Sequence, residues 1–142
     1  MADLKIVREY PVAPKVLFAW ISEGARLLRW WGPEGVHVPE HNLDFSRIGP
    51  WYSVMENKDG QQFMVSGHVT HVRPDVSVGF TWAWHDENGT RGAESHVTLA
   101  VEATETGARL VLDHRDLADD DVSANHEAGW TSSFNKLATV LT

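Results

Sequence analysis

The sequence contains no cysteine. A disulfide framework, a thiolate nucleophile and a cysteine-ligated metal are all excluded. It also lacks any Lys/Arg cluster beyond isolated pairs such as Arg26 and Arg29. Twelve basic residues stand against twenty acidic ones, a net charge of −8. That balance argues against nucleic acid and against anionic membrane surfaces as partners. No apolar stretch reaches the length of a membrane span, and residues 1–10 are too polar for a signal peptide. The expected location is the cytoplasm. There is no glycine-rich phosphate loop, no His-Glu-x-x-His pattern and no Cys/His ligand spacing. Neither a nucleotide nor a metal nor any other cofactor is expected. Internal repeats, linkers and low-complexity segments are missing as well.

Tryptophan, by contrast, is abundant: seven in 142 residues. These indoles supply much of the available core and could also line a cavity. A chain of this length fits one domain, residues 1–142, able to bury roughly 68% of its unfolded surface. The apolar fraction of 42% is ordinary for a soluble globular protein.

Residues 119–142 read as one long helix. Asp119, Asp120 and Asp121 place short acidic side chains where a helix starts, beside its free N–H groups and the positive end of its dipole. A cap explains them better than a metal cluster does. Val122, His126, Trp130, Phe134, Leu137 and Leu141 then recur in steps of three and four, which traces one face. Asn125, Glu127, Thr131, Asn135 and Thr139 fall on the other. Gly129 lies inside the helix against propensity by about 1 kcal/mol, and suggests close approach to something flat.

Ahead of this helix the period is mostly two. Residues 4–10 form a short strand, ended by Pro11 and Pro14. Pro14 suits a helix start. Val16, Leu17 and Trp20 face one way, and after a break at 22–24 a second helical turn runs through Leu27, Leu28 and Trp31. Strands follow at 36–43 (interrupted by Pro39), 51–56, 61–72, 78–85, 95–102 and 108–115, separated by short turns such as Asp59-Gly60 and Glu87-Asn88-Gly89. Short turns pair sequence neighbours as an antiparallel meander. The order is strand, two short helices, about six strands and one long helix. The sheet must bury its apolar face, and only the C-terminal helix is long enough to cover it. A curved sheet of six to seven strands gripping one helix leaves a wedge of space at one end.

Particular residues agree with that order. They are Val12-Ala13-Pro14-Lys15-Val16-Leu17-Phe18-Ala19-Trp20, Trp30-Trp31-Gly32-Pro33, Asp44, Arg47-Ile48-Gly49, Gly60, Gly67, and His126-Glu127-Ala128-Gly129-Trp130 with Leu137 and Leu141. Together they resemble the START-like (SRPBCC, helix-grip) superfamily. Within it the chain is similar to the family named as homologues of the activator of the heat-shock protein 90 ATPase. The resemblance implies an α+β helix-grip fold and allows three functions. One is binding of a small hydrophobic molecule in an internal cavity. Another is regulation of a chaperone ATPase through protein contact, although only one domain of that design is read here. The third is a cyclase/aromatase-like or hydrolase-like enzyme. One departure is Pro50, where the family often has a second glycine. Proline cannot donate a backbone hydrogen bond or adopt φ > 0, so the start of that strand is expected to be reshaped.

The candidate cavity lining is Trp30, Trp31, Trp51, Met55 and Phe63, with Phe80, Trp82, Trp84, Trp130 and Phe134. Roughly half of these should be plain core. The catalytic candidates, Glu56, His68, His85, His96, Asp113 and His114, show no spacing that picks out a pair. His68 and His71 should point to opposite faces of their strand. His37 and His41 share a face but stand about 13 Å apart. Nothing in the sequence decides between monomer and homodimer.

Overall fold

Alternating apolar and polar side chains build most of the seven strands, and the extended residue Glu23 separates the first two helices. The computed structural model describes residues 2–141, so the expected helix end at Thr142 lies outside the described residues. Strand β1 (Ala2–Tyr10) leads into helices α1 (Pro14–Ser22) and α2 (Gly24–Leu27). Then come β2 (His37–His41), β3 (Gly49–Glu56), β4 (Gln62–Arg73), β5 (Ser77–Trp84), β6 (Ser95–Ala103), β7 (Ala108–Leu117) and α3 (Asp120–Leu141). The strands form one antiparallel sheet in the order β1-β7-β6-β5-β4-β3-β2. The meander is as expected. The return of β1 to pair with β7 is what the short turns could not announce. This is the helix-grip arrangement.

Asp119 caps α3, its carboxylate accepting the Val122 N–H at 2.9 Å. The buried stripe of α3 is Trp130, Phe134, Leu137 and Leu141, together with Ser133. Val122 and His126, on the same stripe, are only partly buried. The helix backbone packs on β1 and β7. It leaves the β3–β5 half of the sheet to be covered by large side chains, where Phe45, Trp51 and Phe80 fill the concave face.

Several local expectations need correction. The buried face of α1 is Leu17, Phe18 and Ile21, while Val16 is 43% exposed. Strand β2 is shorter than 36–43. Pro39 sits in this edge strand where the pairing register slips, a position that needs no ladder hydrogen bond. Pro50 does not reshape β3, which pairs without interruption with β4 from Gly49 to Glu56. His68 and His71 share the outer face, because the register slips between Val69 and His71. The His71 ring lies against Gly79 and hydrogen-bonds with Ser77.

Candidate functional site

The open end of the grip holds a cavity of about 390 Å³. Its sheet wall is Met55 from β3 and Trp82 and Trp84 from the end of β5. A second wall is the turn Trp31-Gly32-Pro33, and the helix supplies Val122, Asn125, His126, Gly129, Trp130 and Ser133. The turn depends on Gly32, whose φ is +84°, a left-handed conformation that side chains disfavour. The turn is clamped to α3: Ser132 Oγ accepts the Glu34 N–H at 2.8 Å, and the Lys136 ammonium lies 3.4 Å from the Trp31 carbonyl. Burial lowers the pKa of Lys136, and neighbouring Glu34 opposes that shift.

Trp31 is the keystone of the aromatic cluster. It meets Trp130 at 5.8 Å and 88°, and Trp51 at 5.8 Å and 82°, both edge-to-face arrangements favoured by the ring quadrupoles. Its N–H donates to Ser53 Oγ at 3.0 Å. Trp82 and Trp130 lie 5.4 Å apart. A smaller chamber of about 170 Å³ adjoins the first and shares Trp82, Trp84, Val122 and His126 with it.

Two histidines organise the polar side of this cluster. His126 Nε2 accepts the Trp84 N–H at 2.9 Å, so its Nδ1 carries the proton and donates to the Val122 carbonyl at 2.8 Å. His114 Nδ1 accepts the Trp130 N–H at 3.1 Å, so its Nε2 carries the proton and donates to Ser95 Oγ at 2.7 Å. Ser95 in turn donates to the Trp82 carbonyl at 3.3 Å. The His114 ring is held neutral. Burial, with the nearby His126 and His96, pushes the His114 pKa down to about 3.

The ten candidate residues divide. Trp31, Met55, Trp82, Trp84 and Trp130 line the larger cavity. Trp30, Trp51, Phe80 and Phe134 are buried behind it as core. Phe63, at the hairpin end of β4, is 47% exposed and does not reach the cavity, which removes it from the lining. Asn125 was expected on the face away from the core; it is exposed, yet lines the mouth. Sequence reasoning passed over Gly32, Pro33, Val122, Asn125, His126, Gly129 and Ser133 as lining. The signal for His126 was its place on the apolar stripe, four residues from both Val122 and Trp130.

None of the six catalytic candidates lines the larger cavity. Glu56 pairs with His37, His96 with Asp116, and His85 with Ser66. His114 is wholly buried. The Ser95–His114 pair has the spacing of a nucleophile and base, but the proton is on the wrong nitrogen. His114 Nε2 donates to Ser95 and cannot accept from it while Trp130 occupies Nδ1. Among the described residues, no group of three or more side chains is placed to hold a metal ion, and no helix is long and apolar enough to cross a membrane.

A curved seven-stranded antiparallel sheet closed by a long C-terminal helix, with an aromatic cavity at one end, defines a START-like domain of the SRPBCC superfamily. Residues 11–142 match the model of the Activator of Hsp90 ATPase homolog 1-like protein family, and the chain belongs to that family. It is similar to the crystal structure of an AHSA1 protein from Silicibacter pomeroyi. The identity is 63% and the TM-score 0.95, over 99% of this chain and 97% of that one. A protein from Chromobacterium violaceum is 18% identical with a TM-score of 0.87, covering 99% and 98%. One from Mycobacterium smegmatis is 18% identical with a TM-score of 0.81, covering 99% and 90%. These last two likenesses speak for the fold alone. No curated protein matches the chain.

Proposed function

We propose that the protein binds a small hydrophobic, aromatic molecule in the cavity between α3 and the sheet. The observation that carries this reading is the lining. Trp31, Met55, Trp82, Trp84 and Trp130 surround about 390 Å³ at the open end of the grip, a volume within the usual range for small-molecule sites. No charged side chain lines it, so an apolar guest meets no uncompensated charge. Burying about 300 Å² of apolar ligand surface contributes roughly 7 kcal/mol gross. Association costs remove several of these, so micromolar affinity is expected. We take residues 1–142 to form one domain that acts in the cytoplasm as a monomer or homodimer.

Native mass spectrometry of freshly purified, untagged protein tests the proposal together with titration of flat aromatic compounds against tryptophan fluorescence. A bound mass of a few hundred daltons, or saturable quenching in the micromolar range, supports it. An apo mass with no fluorescence response at high micromolar concentration counts against it. The same spectrum separates monomer from dimer.

The family description favours a second reading, regulation of a chaperone ATPase by protein contact. Unchanged ATP turnover of the chaperone at saturating protein would remove it. An enzyme reading has weaker support, since the Ser95–His114 pair is protonated against nucleophilic use and the other acid–base candidates lie away from the cavity.

A further inference from the structure

The indole N–H groups of the aromatic cluster are accounted for with one exception. Trp30 donates to the Trp20 carbonyl, Trp31 to Ser53, Trp51 to the Thr81 carbonyl, Trp84 to His126 and Trp130 to His114. Trp82 is 5% exposed, and its Nε1–H has no acceptor. A buried donor without a partner is costly and calls for an explanation, and a missing ligand group is one of the few available. Trp82 also borders both chambers. The rings of Trp31, Trp51, Trp84, His114, His126 and Trp130 stand around it at 5.4 to 6.0 Å. Among the described residues, the buried indole donor without a partner therefore belongs to a ring that borders the candidate cavity rather than to a remote point of the core.

We infer that the ligand is a neutral aromatic carbonyl compound (a ketone, lactone or quinone) whose oxygen accepts the Trp82 N–H. This rests on the cavity being a ligand site and specifies its chemistry. The carbonyl follows from the orphaned donor. Neutrality follows from the lining: neither chamber is bordered by Lys or Arg, so a carboxylate would be buried without a counter-charge in a protein of net charge −8. Aromaticity follows from the edges and faces of Trp31, Trp82 and Trp130. Because the N–H is buried, the oxygen must enter the cage, and Trp84 is the ring that can yield. It is 36% exposed, covers Trp82 edge-on at 5.5 Å and is tethered through its hydrogen bond to His126.

The test uses calorimetric titration of the full chain with three probes of one shape: acetylnaphthalene, its oxygen-free isostere isopropenylnaphthalene, and naphthoate. In the unmodified protein the ketone should bind about tenfold more tightly than the hydrocarbon, the value of one buried hydrogen bond, with naphthoate weakest. In Trp82→Phe both neutral probes lose affinity to the changed wall, but the ratio between them should collapse to within about twofold, because the donor is gone. A ratio near one in the unmodified protein, or one that survives Trp82→Phe, overturns the carbonyl assignment and leaves the cavity reading standing. Failure of all three probes to bind would sink both. Should Trp82→Phe not fold, the indole N–H resonance of Trp82 in the unmodified protein decides. A downfield shift with the ketone and none with the hydrocarbon supports the assignment. Equal responses to the two overturn it.

Discussion

His114 carries no charge in the fold, and that has a consequence in solution. Its Nδ1 accepts from Trp130 and its Nε2 donates to Ser95, so an added proton has no place to go without breaking the Trp130 bond. Burial first, then the neighbouring His126 and His96, lowers its pKa from 6.5 to about 3. The unfolded chain protonates this histidine below about 6.5 and the folded one does not. The unfolded state therefore binds more protons in that window, and stability rises with pH there. The contribution is complete above 6.5 and is lost as pH falls from there toward 3, at about 1.4 kcal/mol per pH unit. Urea denaturation at several pH values should show this slope between 6.5 and 4. His114→Gln, whose amide can still accept from Trp130 and donate to Ser95, should remove that slope relative to the unmodified protein. An unchanged slope in the variant would assign the pH dependence to other groups.

Two glycines, one in the sheet and one in the helix, have opposite outcomes on substitution. In β4, a Cβ on Gly67 would collide with the Thr81 carbonyl and crowd Trp51 Nε1. Gly67→Ala must therefore push β4 from β5 or expel the Trp51 indole, and should cost about 1–3 kcal/mol or more in thermal or chemical denaturation. In α3, a Cβ on Gly129 meets only Pro33 Cγ at 3.9 Å, an ordinary contact. Gly129→Ala should stabilise the helix by about 0.5–1 kcal/mol, while its methyl group enters the cavity and weakens binding of an aromatic probe. A variant both more stable and less able to bind is the expected pair of readings. The close approach that Gly129 suggests in the sequence is not required, since a Cβ there fits beside Pro33. Such positions mark how far the sequence could be read. Strand parity set Trp82 and Trp84 on one face and helical period set Val122, His126 and Trp130 on another, because those periods are local. Neither period says where a strand runs out beyond its cover. Phe63 has the right parity and still lies exposed at its hairpin end. The tautomers of His114 and His126 depend on Trp130 and Trp84, which other elements bring to them, so no spacing in the chain could reveal them.

The helix is held unevenly along its length, and the cavity lies under the loosely held half. From Trp130 to Leu141 its stripe is buried against β1 and β7, and the Tyr10 hydroxyl donates to the Phe134 carbonyl at 3.3 Å. From Asp120 to Gly129 no residue is fully buried, and the tie to the sheet is the Trp84–His126 hydrogen bond across the mouth of the cavity. Opening free energy follows burial, so the first half of α3 should open without the second. Amide hydrogen exchange should show residues 124–129 exchanging at least about tenfold faster than residues 134–140. Trp84→Ala should widen that difference by releasing the sheet from the helix, with little effect on the second half. An aromatic ligand that spans Trp31, Trp82 and Trp130 should narrow it, because it joins the two layers where the protein leaves them apart. Uniform exchange along α3, or a ligand effect confined to its second half, would show that the grip closes as one rigid unit and that this end of the helix is not the way in.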